Sequence, residues 1–253
     1  MQLYNQTLPS GAALVGYLRE ETTEMPAFNT RPAMLILPGG GYAYCSAREA
    51  DPVAMQFLQA GYNVFILYYT CRKQESQPAL RWQPLIDAAG AILHIRKNAA
   101  QFHIDPAKVA VCGFSAGGHL AASTAILWDA EPVRQALGIC GKEALPDAVV
   151  LGYPVITSGE FRHDGSICNL CGDDAALRGT MSLENQVSDG LPPFYIWHTV
   201  EDASVPVQNS MLLATALTAH KVPFELHLFA HDGHGTSTCT QEVNTPNRHN
   251  SAW

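Results

Sequence analysis

Short apolar runs alternate along the chain with longer segments of mixed polarity. Most of these runs are apolar almost throughout, which is typical of strands buried on both faces of a parallel sheet. The last run instead alternates, with Phe224, Leu226 and Leu228 against Glu225 and His227, and this pattern predicts a strand nearer the sheet edge. The predicted strands cover residues 33–38, 63–69, 108–114, 147–154, 193–198 and 223–229.

The segments between these strands are predicted to be helices, since their apolar residues recur at helical spacing. They cover residues 47–60, 84–100, 116–128 and 206–220. Parallel strands joined by helices need right-handed crossovers, so the order predicts an α/β fold with three layers: a mostly parallel central sheet with helices on both faces. We predict one domain over residues 1–253, in which residues 156–191 form a cap or lid excursion of marginal order.

Composition and charge exclude several classes of protein. The 253 residues are 47% hydrophobic, which suffices for a buried core. The net charge is −8 and no basic run is longer than the pair Arg72 and Lys73, which argues against nucleic acid and membrane surfaces as partners. The amino terminus lacks the pattern of a secretory signal, and no stretch approaches the roughly 18 apolar residues of a membrane span. We therefore expect a cytoplasmic protein. It can be a monomer or a homo-oligomer.

The cysteines indicate a reducing compartment. There are seven of them, an odd number, and they are scattered along the chain. Cys168 and Cys171 form a CxxC pair that could be half of a zinc site or a redox pair. No second CxxC and no histidine pair at zinc spacing accompanies them, so we interpret them as loop cysteines and predict neither a metal nor a cofactor.

The sequence GFSAG places Ser115 between Gly113 and Gly117, at the end of a predicted strand and the start of a predicted helix. A side chain at such an elbow is forced into an unfavourable backbone region, which requires small neighbours on each side. Glycine and serine here could also serve only to let a strand and a helix pack closely. The position between strand and helix favours a nucleophile, and a serine nucleophile needs a base and an acid elsewhere in the chain.

Candidates for the base and the acid each follow a later strand. His234 lies between two glycines after the last predicted strand, and His231 competes with it three residues earlier. Glu201 and Asp202 follow the strand over 193–198, where either could also act as a helix cap. The resulting order of serine, acid and histidine is that of the α/β-hydrolases.

The glycine run LPGGGY, which follows the first strong strand, is the candidate oxyanion hole. The backbone N–H groups of Gly40 and Gly41, together with that of Ala116, could donate to the negative oxygen of a tetrahedral intermediate. Taken alone, three glycines would indicate only a loop.

Together, PGGGY, GFSAGGHLAA, EDASVP and HDGHG resemble the α/β-hydrolase esterases related to the hormone-sensitive-lipase group and to the bacterial acetyl esterases and acetylxylan esterases. The resemblance extends from about residue 31 onward and is weaker before it. It assigns a catalytic triad to Ser115, Asp202 and His234, and an oxyanion hole to Gly40 and Gly41.

The chain departs from this family in two places. Pro38 precedes the glycines where the hormone-sensitive-lipase pattern has histidine, which fits the acetyl esterases better. The family continues through a final helix after the histidine loop, whereas this chain stops at RHNSAW. We therefore expect a truncated carboxyl terminus and reduced stability.

The resemblance implies a serine carboxylesterase that hydrolyses short-chain, acetyl-type esters through an acyl-enzyme, with a small-molecule ester, such as an acetylated sugar, as substrate. Tyr42, Tyr44 and Trp197 are candidates for a surface that holds the alcohol side, although aromatic residues beside strand ends also occur as core. The alternatives are a thioesterase, a serine exopeptidase of the prolyl-oligopeptidase type and a non-catalytic binding module. Reactivity towards a fluorophosphonate separates the last of these from the others.

Overall fold

The computed structural model describes residues 1–243, in which eight strands form one sheet. The spatial order is β1-β2-β4-β3-β5-β6-β7-β8; β1 and β2 pair antiparallel with each other, β2 pairs antiparallel with β4, and all other neighbours are parallel. The strands are β1 (Gln2–Thr7), β2 (Ala13–Leu18), β3 (Arg31–Leu37), β4 (Asn63–Tyr68), β5 (Ile104–Phe114), β6 (Ala148–Gly152), β7 (Phe194–Thr199) and β8 (Phe224–Phe229).

Helices cover both faces of the sheet, which confirms the predicted three-layer α/β architecture. On one face α1 packs with alternate residues of β3 and β4, and on the other face α2, α3 and α7 share a larger apolar core. The helices are α1 (Asp51–Gln59), α2 (Gln83–Lys97), α3 (Ala116–Ile126), α4 (Glu131–Leu137), α5 (Asp164–Cys171), α6 (Ala175–Thr180) and α7 (Gln208–Ala219).

The strand β3 shows why the central strands are apolar throughout. Leu35 and Leu37 belong to the core under α2 and α3, whereas Met34 and Ile36 belong to the core under α1. All four side chains are buried, so neither face of the strand meets water. The loops that follow β3, β5, β7 and β8 leave the sheet at one edge, the carboxyl end, where such folds place their sites.

The amino-terminal hairpin of β1 and β2 is an element that the sequence analysis missed. Leu14, Gly16 and Leu18 of β2 face the core in strict alternation, but β1 is mostly exposed and gives no apolar pattern. The turn between the strands contains Gly11 at φ +93°. The alternation in β2 and this glycine were the available signals. The short helix α4 was also missed.

Residues 156–191 are more regular than their sequence suggests. They contain α5, α6 and a short 3-10 helix, and apolar side chains of each of these elements are buried. The amides of Leu80 and Arg81 donate to the carbonyl groups of Asn169 and Leu170, at 3.0 and 2.7 Å. This segment is therefore fastened to the loop before α2, which the prediction of marginal order did not anticipate.

The cysteine pair lies in a helix, which corrects its interpretation as loop residues. Cys168 is exposed and Cys171 is buried, and both belong to α5. Over residues 1–243 all cysteines are free thiols.

Two other predictions concern the membrane and the carboxyl terminus. Over residues 1–243 no helix has both the length and the apolar character that crossing a membrane requires. The prediction of a missing final helix rests on residues 248–253, which lie outside the described residues.

Candidate active site

Ser115 occupies a strained turn between β5 and α3. Its backbone has φ 54° and ψ −120°, a conformation that side chains rarely adopt. A Cβ atom at Gly113 would lie 2.1 Å from the carbonyl oxygen of Gly117, and a Cβ atom at Gly117 would lie 2.1 Å from the carbonyl oxygen of Leu37. The two glycines thus allow the close packing of strand, turn and helix, and this packing holds the serine at the edge of the sheet.

His234 and Asp202 lie in hydrogen-bonded sequence with this serine. The Nε2 atom of His234 is 2.9 Å from the Oγ atom of Ser115, and its Nδ1 atom is 2.6 Å from the Oδ2 atom of Asp202. A carboxylate only accepts, so Nδ1 carries the ring proton and Nε2 is left to accept the serine proton. The geometry is that of a nucleophile, a general base and an orienting acid.

The competing residues form a separate pair. The Nδ1 atom of His231 is 3.0 Å from the Oε1 atom of Glu201, and both side chains are exposed. The second carboxylate oxygen of Glu201 accepts from the amide of Asp232 at 3.2 Å. His231 and Glu201 therefore pair at the surface of the loop that follows β8, the histidine loop, while His234 and Asp202 approach Ser115.

Asp202 is buried and surrounded by donors. Its Oδ1 atom accepts from the amides of Ser204 and Val205, both at 2.9 Å, and its Oδ2 atom lies 3.3 Å from the Nε2 atom of His198. Burial acts to raise the pKa of Asp202, but the hydrogen bonds from His198 and His234 outweigh it and hold the pKa well below its usual value. The carboxylate therefore stays charged beside His234.

The glycine run turns sharply through two residues with positive φ. Gly40 has φ +124° and Gly41 has φ +64°, and a Cβ atom at Gly40 would lie 2.1 Å from the carbonyl oxygen of Tyr44. Within residues 1–243 the amides of Gly40, Gly41 and Ala116 donate to no acceptor, whereas the amide of Gly39 donates to Glu49. The three predicted donors remain available to an oxygen held at Ser115.

Two of the three aromatic residues predicted to bind substrate are core residues instead. Tyr42 is 1% exposed and its hydroxyl donates to the Nδ1 atom of His119, whose Nε2 atom in turn donates to the carbonyl oxygen of Met181. Burial lowers the pKa of His119 to about 4, so this relay is neutral. Trp197 is 0% exposed within β7. Only Tyr44, which is 61% exposed, lies where a substrate can touch it.

A cavity of about 260 Å³ opens at Ser115. Apart from the glycines, every residue that lines it carries a hydroxyl, imidazole, guanidinium or carboxylate group. The lining residues are Gly40, Gly41, Tyr44, Ser46, Arg48, Glu49, Ser115, His163, Ser204, His234 and Gly235.

His163 is a residue of this cavity that the sequence analysis missed, because it lies in the segment without periodicity. Its Nδ1 atom accepts from the amide of Ser166 at 3.1 Å, so in the neutral ring Nε2 carries the proton. Burial and the neighbouring His234 lower the pKa of His163. The half-buried ring thus presents a neutral N–H donor beside the serine.

Comparisons with known proteins identify the family of the chain. The BD-FAE family matches residues 23–156, which is more than half of the chain, and the prolyl oligopeptidase family matches residues 172–253. A solved relative is an acetyl ester-xyloside bifunctional hydrolase from Caldicellulosiruptor lactoaceticus, with 36% identity, a TM-score of 0.78 and coverage of 92% of this chain and 82% of that chain.

Two curated relatives are longer proteins. Endo-1,4-beta-xylanase B of Butyrivibrio fibrisolvens is 41% identical over 84% of this chain and 33% of its own length. The acetylxylan esterase of Xylanibacter ruminicola is 30% identical over 69% of this chain and 34% of its own length. The chain thus spans about a third of the length of these relatives. On the family match, the solved relative and the fold together, the chain belongs to the BD-FAE family of α/β-hydrolases, which confirms the predicted resemblance.

Proposed function

We propose that the chain is a serine carboxylesterase that hydrolyses short-chain, acetyl-type esters, with acetylated sugars as the substrate class. The observation that carries this proposal is the unbroken sequence of hydrogen bonds from Asp202 through His234 to Ser115 at the wall of a cavity. The names of two relatives, an acetylxylan esterase and an acetyl ester-xyloside hydrolase, support the acyl group and the sugar.

In the proposed reaction the Oγ atom of Ser115 attacks the ester carbonyl carbon while the Nε2 atom of His234 takes the serine proton. The amides of Gly40, Gly41 and Ala116 donate to the oxygen that becomes negative. His234 then returns its proton to the leaving alcohol as the acyl-enzyme forms. Water, activated by the same imidazole, attacks the acyl-enzyme and releases the acid.

The size and polarity of the cavity support a short acyl chain and a hydroxylated alcohol. A volume of about 260 Å³ has to hold the acyl group together with part of the alcohol. None of the described residues that line the cavity is Val, Leu, Ile, Met or Phe, which supports a short acyl chain over a long one. Arg48, His163 and Tyr44 offer the donors and acceptors that sugar hydroxyl groups require.

The first test is covalent labelling with a fluorophosphonate. We expect labelling of the wild-type protein and none of Ser115→Ala. Ser123→Ala is the matched control, because Ser123 is a buried serine of α3 whose hydroxyl donates to the carbonyl oxygen of His119 at 2.8 Å. Ester hydrolysis that persists unchanged in Ser115→Ala would disprove the proposal.

The second test is a substrate series of p-nitrophenyl esters from acetate to octanoate, acetylated xylo-oligosaccharides, acetyl-CoA and an aminoacyl arylamide. We expect the highest kcat/KM for acetate among the aryl esters and release of acetate from the oligosaccharides. A maximum at eight carbons would contradict the short-chain preference. Faster turnover of acetyl-CoA or of the arylamide would assign the site to a thioesterase or to an exopeptidase.

A further inference from the structure

A second carboxylate, Glu49, lies at the wall of the cavity that opens at Ser115 and has no part in the proposed triad. It ends the short 3-10 helix Ala47–Glu49 that follows the glycine loop, and it is 3% exposed. Its Oε2 atom accepts from the amide of Gly39 at 2.8 Å, and its Oε1 atom accepts from the hydroxyl of Tyr153 at 2.7 Å. Since both oxygens take a donor, the partners around Glu49 suit the ionised form.

Tyr153 connects this carboxylate to the histidine loop. The edge of its ring meets the ring of His234, with centroids 4.9 Å apart and planes at 69°. The hydroxyl of Tyr153 accepts from the amide of Ser237 at 2.9 Å while it donates to Glu49. The hydroxyl of Ser237 donates to the carbonyl oxygen of Arg48, next to Glu49 in the chain. The glycine loop and the histidine loop are thus joined through one buried carboxylate.

The same carboxylate is close to the nucleophile. A Cβ atom at Gly39 would lie 2.6 Å from the Oε2 atom of Glu49 and 3.0 Å from the Cβ atom of Ser115, so little more than this glycine separates the two side chains. Burial raises the pKa of Glu49 above its usual value, and the hydrogen bonds from Tyr153 and Gly39 limit that rise.

Several charged or titratable groups face His234. Asp202 accepts from its Nδ1 atom, Glu49 and His163 line the same cavity, and the guanidinium of Arg48 lies beside Gly235. Among them Asp202 is charged, and the donors to both oxygens of Glu49 favour its charged form, in the buried part of the site where charges interact more strongly than in water.

We propose that Glu49 is a positioning residue of the esterase site, which fixes the glycine loop against the histidine loop and stabilises the His234 imidazolium by its negative charge. This inference rests on the proposed function. The proton moves from the Oγ atom of Ser115 to the Nε2 atom of His234 as the serine oxygen bonds to the carbonyl carbon, and Glu49 itself neither gains nor loses a proton. Removal of its charge therefore destabilises the imidazolium, both at rest and in the transition state.

The test is Glu49→Gln, measured as the pH dependence of Ser115 labelling by a fluorophosphonate and of kcat/KM for p-nitrophenyl acetate. We expect a plateau lowered about tenfold, because an electrostatic contribution to the transition state is lost. We also expect the acid limb to move down by about half a pH unit or more, because the imidazolium has lost a neighbouring anion. A purely structural role would lower the plateau and leave the limb in place.

Asp87→Asn is the matched control. Asp87 is also fully buried, and it accepts from the amide of Thr70 and from the side chain of Gln83, both at 2.8 Å, but it lies on α2 and outside the lining of the cavity. Its acid limb should coincide with that of the wild-type protein. A limb that shifts equally in Asp87→Asn would overturn the assignment to Glu49.

Tyr153→Phe keeps the ring against His234 and removes the donor to Glu49. Because that hydrogen bond lowers the pKa of Glu49, its loss leaves Glu49 less charged at acid pH, and the acid limb should move in the same direction by a smaller step. This variant also replaces Glu49→Gln as the test if circular dichroism shows that the latter does not fold. An unmoved acid limb in the folded variant would overturn this inference. A wild-type protein that is neither labelled nor active on esters would overturn the proposed function as well.

Discussion

Asp202 lies between two regions, the cavity on one side and the buried core on the other, and each region contains a histidine. On the cavity side His234 lies 2.6 Å from its Oδ2 atom, and the side chain of His234 is partly exposed. On the buried side His198 lies 3.3 Å from the same oxygen and is wholly enclosed. The two imidazoles share one carboxylate oxygen, yet only that of His234 reaches Ser115.

The difference lies in the second nitrogen of each ring. The Nε2 atom of His198 lies 2.9 Å from the carbonyl oxygen of Val205, which can only accept, so this nitrogen carries the proton. Its Nδ1 atom then accepts from the hydroxyl of Ser210 at 2.8 Å. Both nitrogens of His198 are therefore hydrogen-bonded within the core, whereas the Nε2 atom of His234 faces the Ser115 hydroxyl. Of these two histidines, only His234 has the partners and the access to the cavity that the proposed base requires.

Replacement on the cavity side should have the largest effect. His234→Ala removes the general base, and we expect kcat for p-nitrophenyl acetate to fall by a factor of about 10⁴ or more. Circular dichroism should show native secondary structure, because the ring is partly exposed. A fall of less than tenfold would mean that another group accepts the serine proton.

The shared acid comes next. Asp202→Asn keeps the shape of the side chain but no longer fixes the proton on the Nδ1 atom of His234, and we expect kcat to fall by a factor of about 10² to 10⁴. The measurement is kcat at pH 7 to 9 with the same aryl acetate. Glu201→Gln is the matched control, since Glu201 is the neighbouring carboxylate that pairs with His231 on the surface. Equal losses in both variants would contradict the assignment.

Acid should reduce the difference in stability between the wild-type protein and Asp202→Asn. The pKa of Asp202 is lowered by folding, so its ionised form stabilises the native state above the unfolded pKa of about 3.9, and this stabilisation is lost as the pH falls below that value. The free energy of unfolding of the wild-type protein should therefore approach that of Asp202→Asn as the pH falls below about 5. Urea unfolding of both proteins at several pH values measures this difference. A difference that grows on acidification would have the wrong sign.

Replacement on the buried side should cost stability more than chemistry. His198→Phe leaves the hydroxyl of Ser210 and the carbonyl of Val205 without their partner, and we expect a loss of about 2 to 3 kcal/mol in the free energy of unfolding. Because Asp202 also loses a hydrogen bond, kcat should fall about tenfold through a less well oriented acid. Urea unfolding and kcat on the same preparation test both. A loss in kcat as large as that of His234→Ala would remove the distinction between the two histidines.

The smallest effect should come from Ser210, which contacts His198 on the side away from Asp202. Ser210→Ala removes one hydrogen bond to the Nδ1 atom of His198, and we expect this loss to cost about 1 kcal/mol in the free energy of unfolding. The kcat value should stay within about twofold, since the proton on Nε2 and its contact with Asp202 are unchanged. A tenfold loss would show that the orientation of His198 depends on the serine.

The sequence predicted the triad because each of its members follows its own strand. In a parallel sheet the carboxyl ends of neighbouring strands meet at one edge, so order along the chain was enough to bring Ser115, Asp202 and His234 together. The central strands were equally predictable from their continuous apolar runs. The edge strand β1 was not, since it buries little and leaves no pattern.

Other features depended on contacts that no local pattern encodes. Glu49 meets Tyr153 across 104 positions of the chain, through the conformation of two loops. Aromatic character alone did not show that Tyr42 and Trp197 point into the core. His198 is the last residue but one of β7, and its place beside Asp202 could have been suspected because the two residues lie four positions apart across the following turn.

The attachment of residues 156–191 has a consequence for the physical state of the substrate. The side chain of Asn169 donates to the carbonyl oxygen of Gly41, and the Nε2 atom of His119 donates to that of Met181, so this segment is bonded both to the glycine loop and to the helix that carries the nucleophile. Lipases whose lids open on oil droplets become faster above the solubility limit of their substrate. Here the entrance is held by the fold itself, so the rate should follow the concentration of dissolved ester and show no jump when an emulsion forms.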